Sequence, residues 1–191
     1  MSEISLNDFI LNLKNQNVYK PRITITNIKM SFKCNERVKL NEDLCISYYK
    51  AYNLIVKYLN ITYTFLGKNH SHVNITGLRS IYDIKPAVIG LTKISNLKLN
   101  NFKYFTIDNI SVTYKTHPGL KQIILRIKND DFNIFKPTKF CGIVIKHNNC
   151  SLTYFNSGNT ILVGIKNFPD LNTYVKKFDL FFMQCCGFLE F

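Results

Sequence analysis

Acidic residues are scarce in this sequence. Of its 191 residues, 12 are Asp or Glu and 25 are Lys or Arg, which gives a formal net charge of +13 at pH 7. No acid lies between Asp43 and Asp83, or between Asp131 and Asp170. These two windows contain the cations Lys50, Lys57, Lys68, Arg79, Lys136, Lys139, Lys146 and Lys166. The charge predicts a polyanionic partner, because Lys and Arg neutralise phosphates and release counterions; a merely solvated basic surface is the alternative.

Several other signals are missing as well. The six cysteines show no CxxC spacing, which excludes a zinc ribbon and a thioredoxin motif. No apolar run approaches the roughly 18 residues of a membrane span, and the N-terminus lacks the pattern of a signal peptide. We therefore expect an intracellular protein.

Features of an enzyme are equally scarce. The sequence contains no phosphate-binding glycine loop and no nucleophile elbow, and the acid-free windows offer no paired carboxylates for metal-dependent nuclease chemistry. His70 and His72 stand two apart and could lie beside a metal, but an insertion loop is the preferred interpretation. We predict a protein that is not an enzyme and that needs no cofactor or metal.

The sequence does contain an internal repeat. "ITNIKMSFK", residues 25 to 33, aligns without a gap with "IDNISVTYK", residues 107 to 115, so that Asn27 and Asn109 correspond at a separation of 82 residues. Further on, Gly77 corresponds to Gly164 at a separation of 87. This pattern indicates two diverged copies of one unit of 80 to 90 residues.

Each copy can be interpreted as strand, helix, four strands, helix. In "GLKQIILRIKND" the residues Leu120, Ile123, Ile124 and Ile127 have helical spacing. "CGIVIKH", "SLTYFNS" and "TILVGIK" are strand-forming runs separated by hairpin turns, and "NLIVKYL", "ITYTFL" and "HVNITGL" correspond to them in the first copy. The closing helices begin near Pro86, at a predicted first helical position, and near Pro169. We predict an α+β fold in which both copies share one antiparallel sheet: an N-terminal arm at 1–21, one repeat at 22–100 and the second at 101–191.

The order of elements and three phrases of the second copy resemble the TATA-binding protein family. These are "FKYFTIDNISVTYK" with its central Asn, "FKPTKFCGIVIK" and "FNSGNTILVGIKN". The resemblance implies a pseudo-twofold saddle, with one curved antiparallel sheet and helices on its convex face. It also implies a general transcription initiation factor of the nucleus that binds A·T-rich, TATA-like promoter DNA through the minor groove and bends it.

The resemblance further implies a set of residues on the floor of the groove. Lys29, Asn74 and Ser111 are more polar than the Val and Thr that the family favours there. The predicted groove residues are Asn27, Lys29, Asn74, Thr76, Asn109, Ser111, Ile161 and Val163.

In the family, two Phe residues in each half insert between base pairs and kink the duplex. Phe65, Phe140 and Phe155 match three of these wedges, while Ala51 stands at the fourth, where Tyr52 or Tyr49 would substitute. Phosphate contacts are predicted for Lys57, Arg79, Lys146, Ser157 and Lys166.

The expected partners are initiation factors and RNA polymerase. Where the family carries glutamates that dock transcription factor IIB, "FKPTKF" has Lys136, Thr138 and Lys139. We therefore predict a divergent machinery with a divergent factor IIB-like protein, such as one encoded by a large DNA virus. A saddle-fold protein-interaction factor and an architectural DNA binder without TATA specificity remain the alternatives.

Overall fold

The structure is a computed structural model that describes residues 5–16, 23–67 and 69–187, with the side chains of residues 5–12 in the first range. Residues 1–4 and 17–22, Lys68 and the last four residues lie outside this description. Among the helices of the described ranges, none combines the length and the apolar character that crossing a membrane requires.

The chain divides into two compact units by its internal contacts. Unit 1 takes in Thr26–Asn109 with the first helix, and unit 2 takes in the chain from Ile110 onward with the first residues of the first strand. The described part of unit 1 has six complete α-helices and strands: α1 Leu6–Gln16, β2 Ile46–Lys50, β3 Asn53–Tyr58, β4 Ile61–Leu66, β5 His72–Leu78 and α2 Ile84–Ile94. Most of β1, Thr24–Cys34, and the first part of β6, Phe102–Lys115, also belong to it.

Unit 2 continues along β6 and repeats the same plan. Its other elements are α3 Lys121–Arg126, β7 Asn133–Phe135, β8 Ile143–His147, β9 Cys150–Tyr154, β10 Asn159–Ile165 and α4 Phe168–Cys185. The hydrogen-bonded strand order is β2-β3-β4-β5-β1-β6 in unit 1 and β6-β10-β9-β8-β7 in unit 2, and the pairings are antiparallel where their register is defined. The predicted α+β class with an antiparallel sheet is confirmed.

Alternating burial gives each unit two distinct sheet faces. In unit 1 the core face packs under α2, where the buried Tyr63 donates its hydroxyl hydrogen to the carbonyl of Ala87 at 2.8 Å. In unit 2 the ring of Tyr154 on β9 lies 5.5 Å from the ring of Phe182 on α4, between centroids. The side chains between these core positions point the other way, since successive residues of a strand alternate. We call that side the open face of each unit.

The two glycines that aligned in the repeat have the same backbone role. Gly77 in β5 has φ +96° and Gly164 in β10 has φ +95°, and the register slips beside each of them. A Cβ on Gly77 would lie 2.5 Å from the carbonyl oxygen of Asn60, and one on Gly164 would clash with that of Asn149. Both positions therefore require glycine, which supports the interpretation of two copies of one unit.

Three details of the predicted elements were wrong. Unit 1 has no helix between β1 and β2, because the backbone amides of Lys39 and Asn41 bond to Asn96 and Ile94 at the end of α2. Pro86 is the third residue of α2 rather than the first, which the first turn tolerates.

The third detail concerns the short helix α3. It buries Leu120 at its start and Ile124 within it, but leaves Ile123 44% exposed. With only six residues it is too short to bury a full apolar stripe. The strand runs quoted from the sequence, by contrast, all appear as strands within three residues of their predicted bounds.

Candidate nucleic-acid interface

A row of apolar and hydroxyl side chains crosses the open face of unit 2. Directly paired residues of neighbouring strands share a face, so the register defines this row. It runs through Phe135, Val144, Thr153, Ile161 and Thr113. A second, parallel row contains Asn133, Lys146, Ser151 and Val163. Two predicted groove residues, Ile161 and Val163, therefore lie side by side on this face.

The two predicted wedges of unit 2 lie beside each other at the surface. The rings of Phe140 and Phe155 stand edge to face with centroids 5.8 Å apart. Phe140 is 41% exposed, in the loop before β8, and Phe155 is half-buried directly after β9. An open depression of about 830 Å³ adjoins Phe155 and is lined by Thr113, Lys115, Ser157 and Ile161 among others. This is an aromatic pair that is exposed enough to contact a ligand.

The open face of unit 1 carries the corresponding row with more polar residues. It runs through Tyr48, Ile55, Thr64, Asn74 and Ser31. Thr76 pairs with Thr62 on the same face. Asn74 replaces Ile161 of unit 2 and Tyr48 replaces Phe135, while Ser31 keeps the hydroxyl of Thr113, so the row of unit 1 is the more polar.

Asn27 has a defined orientation on β1. Its side-chain oxygen accepts a hydrogen bond from the backbone amide of Gly77 at 2.7 Å. This bond assigns the oxygen of the amide, and the Nδ2 group is then the donor that Asn27 can offer to a ligand. Asn109 and Ser111 are half-buried on β6.

Lysine lies over an aromatic ring near the edge strand of each unit. Lys57 lies 5.9 Å from the ring centroid of Tyr48, and Lys146 lies 5.2 Å from that of Phe135. The two pairs correspond in register, since Ile46 faces Lys57 as Asn133 faces Lys146. Such a ring holds the ammonium group at the surface by a cation–π interaction.

The remaining predicted phosphate contacts are exposed. Arg79 follows β5, where its backbone amide donates to the Asp83 carboxylate at 2.8 Å. Lys166 follows β10, and Ser157 lies in the turn between β9 and β10.

The prediction for Phe65 was wrong. Phe65 is fully buried on the core face of β4, where it pairs with Leu54 of β3. In unit 2 Tyr154 has the same place, since it pairs with Ile143 of β8. Leu66, one residue on, is therefore the counterpart of Phe155. The connection between β4 and β5 is two residues longer than the one between β9 and β10. The sequence alignment therefore matched Phe65, rather than Leu66, to Phe155.

In its described part, unit 1 consequently has no aromatic pair like that of unit 2. Counting back from the corresponding strands β3 and β8 makes Ala51 the counterpart of Phe140, as the sequence indicated. Ala51 lies in the turn between β2 and β3 with φ +54°, and the neighbouring Tyr52 is 68% exposed. Tyr49 is 67% exposed and its ring lies 6.0 Å from that of His70, on the opposite side of β2 from Tyr48. Tyr52 is thus the accessible aromatic ring in the turn of unit 1.

Sequence reasoning missed Asp108, a carboxylate on the open face of unit 1. Its Oδ1 accepts from the hydroxyl of Ser31 at 2.8 Å, and its Oδ2 lies 3.6 Å from the Nζ of Lys29. The predicted groove residue Lys29 is therefore paired with an acid. A signal was available, because Asp108 aligns with Thr26 in the repeated phrase.

The histidines do not form a metal site. Within residues 5–16, 23–67 and 69–187, no three His, Cys, Asp or Glu side chains come together so as to hold a metal ion. His70 is 5% exposed, its Nδ1 has no hydrogen-bond partner among the residues that the structure describes, and burial lowers the pKa of its imidazole. His72 lies at the exposed start of β5, with its Nδ1 3.3 Å from the hydroxyl of Ser71.

Comparison with known proteins addresses the fold. No protein-family model matches the chain, and no curated protein matches it in sequence. Among solved structures, the TBP of Methanococcus jannaschii is similar, with a TM-score of 0.65 and 20% sequence identity over 83% of this chain and 97% of that one. The expected fold is confirmed: this chain has the fold of the TATA-binding protein.

Proposed function

We propose that this protein binds A·T-rich double-stranded DNA through the minor groove, with the open face of each unit, and acts in transcription initiation. One observation carries the proposal. In both units a row of mainly apolar and hydroxyl side chains, which in unit 1 includes the amide of Asn74, crosses the open face next to a lysine that lies over an aromatic ring. This arrangement occurs on the fold of a TBP.

The chemistry of the rows suits the minor groove. A·T pairs present only the acceptors adenine N3 and thymine O2 there, and no donor distinguishes A·T from T·A. Side chains such as Ile161, Val163 and Thr153 can cover such an edge without leaving their own polar groups unpaired. The Nδ2 group of Asn27 supplies a donor for these acceptors. Lys57 and Lys146 would then neutralise phosphates beside the groove.

The aromatic pair of unit 2 supplies the bending element. Inserting a side chain between base pairs costs a few kcal/mol per step, which the wider contact with bent DNA offsets. Phe140 and Phe155 are exposed and half-buried, respectively, so both can reach a base step without disrupting the core. In unit 1 we assign this role to Tyr52 alone. Unit 2 therefore provides the stronger kink.

The protein partners follow from surface charge. Lys136, Thr138 and Lys139 are all exposed before β8. A basic segment there favours a partner with an acidic docking surface, a divergent factor IIB-like protein that recruits RNA polymerase. We place the protein with its template in the nucleus, which is the host nucleus if the protein is viral. We assign it no catalytic role.

A titration of two duplexes tests DNA binding. One 20-base-pair duplex is A·T-rich and the other G·C-rich, each is labelled for fluorescence anisotropy, and each is measured at 50 and 200 mM salt. We expect tighter binding of the A·T-rich duplex and a steep loss of affinity with salt, since phosphate contacts release counterions. Absence of binding to either duplex at 50 mM salt contradicts the proposal.

An architectural DNA binder without sequence preference is the second candidate. It is favoured by Ala51 and Leu66, which leave unit 1 without the aromatic pair of unit 2, and by the polar row of unit 1. The same titration separates the two candidates. Equal affinity for both duplexes, with the same salt dependence, identifies the architectural binder.

A further inference from the structure

Asp108 is the carboxylate that stands among the predicted groove residues of unit 1. Its Oδ1 accepts hydrogen bonds from Ser31 at 2.8 Å and from Thr106 at 3.4 Å, and its Oδ2 lies 3.6 Å from the Nζ of Lys29. The side chain remains 30% exposed. These neighbours hold the carboxylate in one orientation on the open face.

The carboxylate has acceptor capacity left for a ligand. An ionised carboxylate offers about four lone-pair directions, and its three neighbours occupy at most three of them. Because the side chain is 30% exposed, a ligand at the open face can reach this remaining acceptor capacity. A ligand group that meets it must be a hydrogen-bond donor.

The minor groove presents one base-specific donor. A·T and T·A pairs show only acceptors, which a carboxylate would repel, whereas a G·C pair adds the 2-amino group of guanine. We propose that Asp108 determines specificity by accepting a hydrogen bond from that 2-amino group, so that the preferred site contains a G·C pair within its A·T-rich sequence. This inference rests on the proposed function.

The paired Lys29 is consistent with this role. Without Asp108 its ammonium group would be drawn to the acceptors of A·T pairs. The ion pair lowers the effective charge of Lys29 and places a donor and an acceptor side by side. Such a pair can meet a G·C pair, which offers guanine N3 and cytosine O2 as acceptors beside the amino donor.

Base analogues test the inference without altering the protein. A series of A·T-rich duplexes carries one G·C pair at each position in turn, and a matched series carries inosine, which lacks the 2-amino group, in place of guanine. At one position the wild-type protein should bind the guanine duplex about tenfold more tightly than the inosine duplex, the size expected for a hydrogen bond to a charged group. The readout is the ratio of the two dissociation constants.

A variant then identifies the side chain responsible. Asp108→Asn keeps an oxygen that can accept from Ser31 but removes the negative charge. We expect this variant to bind the guanine and inosine duplexes with affinities that differ by less than about twofold. Asp130→Asn, at an exposed acid between α3 and β7, changes the net charge equally and should keep the ratio of the wild type. Circular dichroism verifies that both variants are folded.

Each of the other possible results of these titrations refutes one specific claim. Binding of all duplexes with no difference between guanine and inosine at any position refutes the role of Asp108 and leaves the proposed function in place. A ratio that persists in Asp108→Asn assigns the discrimination to another residue and also refutes it. Failure to bind any duplex refutes the proposed function, and this inference with it.

Discussion

Replacing Phe65 by Ala should mainly lower the stability of the protein, whereas replacing Phe155 by Ala should mainly reduce DNA bending. Phe65 is fully buried on the core face, and emptying such a site costs about 3–5 kcal/mol in free energy of unfolding. Phe155 is half-buried and its ring contact is with Phe140. Losing that contact and part of its burial should cost about 1–2 kcal/mol. Because domains are stable by only about 5–15 kcal/mol, the difference is readily measured.

The assay has two arms on the same samples. Urea denaturation gives the free energy of unfolding, and energy transfer between dyes at the two ends of an A·T-rich duplex gives its bending. Phe155→Ala should reduce bending while remaining nearly as stable as the wild type. Phe65→Ala, measured at a temperature where it is folded, should bend the duplex as the wild type does.

A matched pair of variants adds a gain-of-function control. Leu66→Phe places an aromatic ring at the counterpart of Phe155, whereas Leu66→Ala does not, and the first should increase bending relative to the second. If Phe65→Ala loses less than about 1 kcal/mol of stability and abolishes bending, the register argument is refuted.

Three further predictions concern the backbone, the charges and pH. Gly77→Ala should lower the free energy of unfolding by about 3 kcal/mol, because Gly77 has a φ of +96° and a Cβ there would clash with the backbone. Gly67→Ala should lower it by about 1 kcal/mol, because Gly67 has a φ of +72° but open space around it. Equal losses of stability in urea denaturation would contradict this. Lys146→Ala should reduce the slope of log affinity against log salt by about 0.9, while Lys176→Ala, exposed on α4, should leave it unchanged. Burial lowers the pKa of His70, so the unfolded chain binds a proton more readily than the folded one, and stability should fall as the pH drops below about 6.5. His70→Asn should weaken that fall in thermal melts between pH 7.5 and 5.5, and an unchanged fall would exclude His70 as its source.

The sequence predicted the fold well because its signals were periodic and duplicated. Strand-forming runs separated by hairpin turns indicated the strands, and the correspondence of Gly77 with Gly164 reflected a bulge that only glycine fits. Both signals depend on local backbone geometry, which determines the residue types along a short stretch of the sequence.

Details of the site were less predictable because they depend on register and on contacts between distant strands. Because the loop after β4 is two residues longer than the loop after β9, the sequence alignment assigned Phe65 to a surface position, whereas the structure places it in the core. The pairing of Lys29 with Asp108 joins β1 to β6, residues far apart in sequence. No pattern within either strand revealed that pair.

The claim that the open faces bind the duplex can be tested most directly by methyl NMR. Resonances of Val144, Ile161 and Val163 report on the open face of unit 2, and that of Leu180, 52% exposed on α4, reports on the helical side. On addition of an A·T-rich duplex we predict large shifts for the first three and none for Leu180. Shifts of Leu180 with unchanged Val144, Ile161 and Val163 would contradict the account.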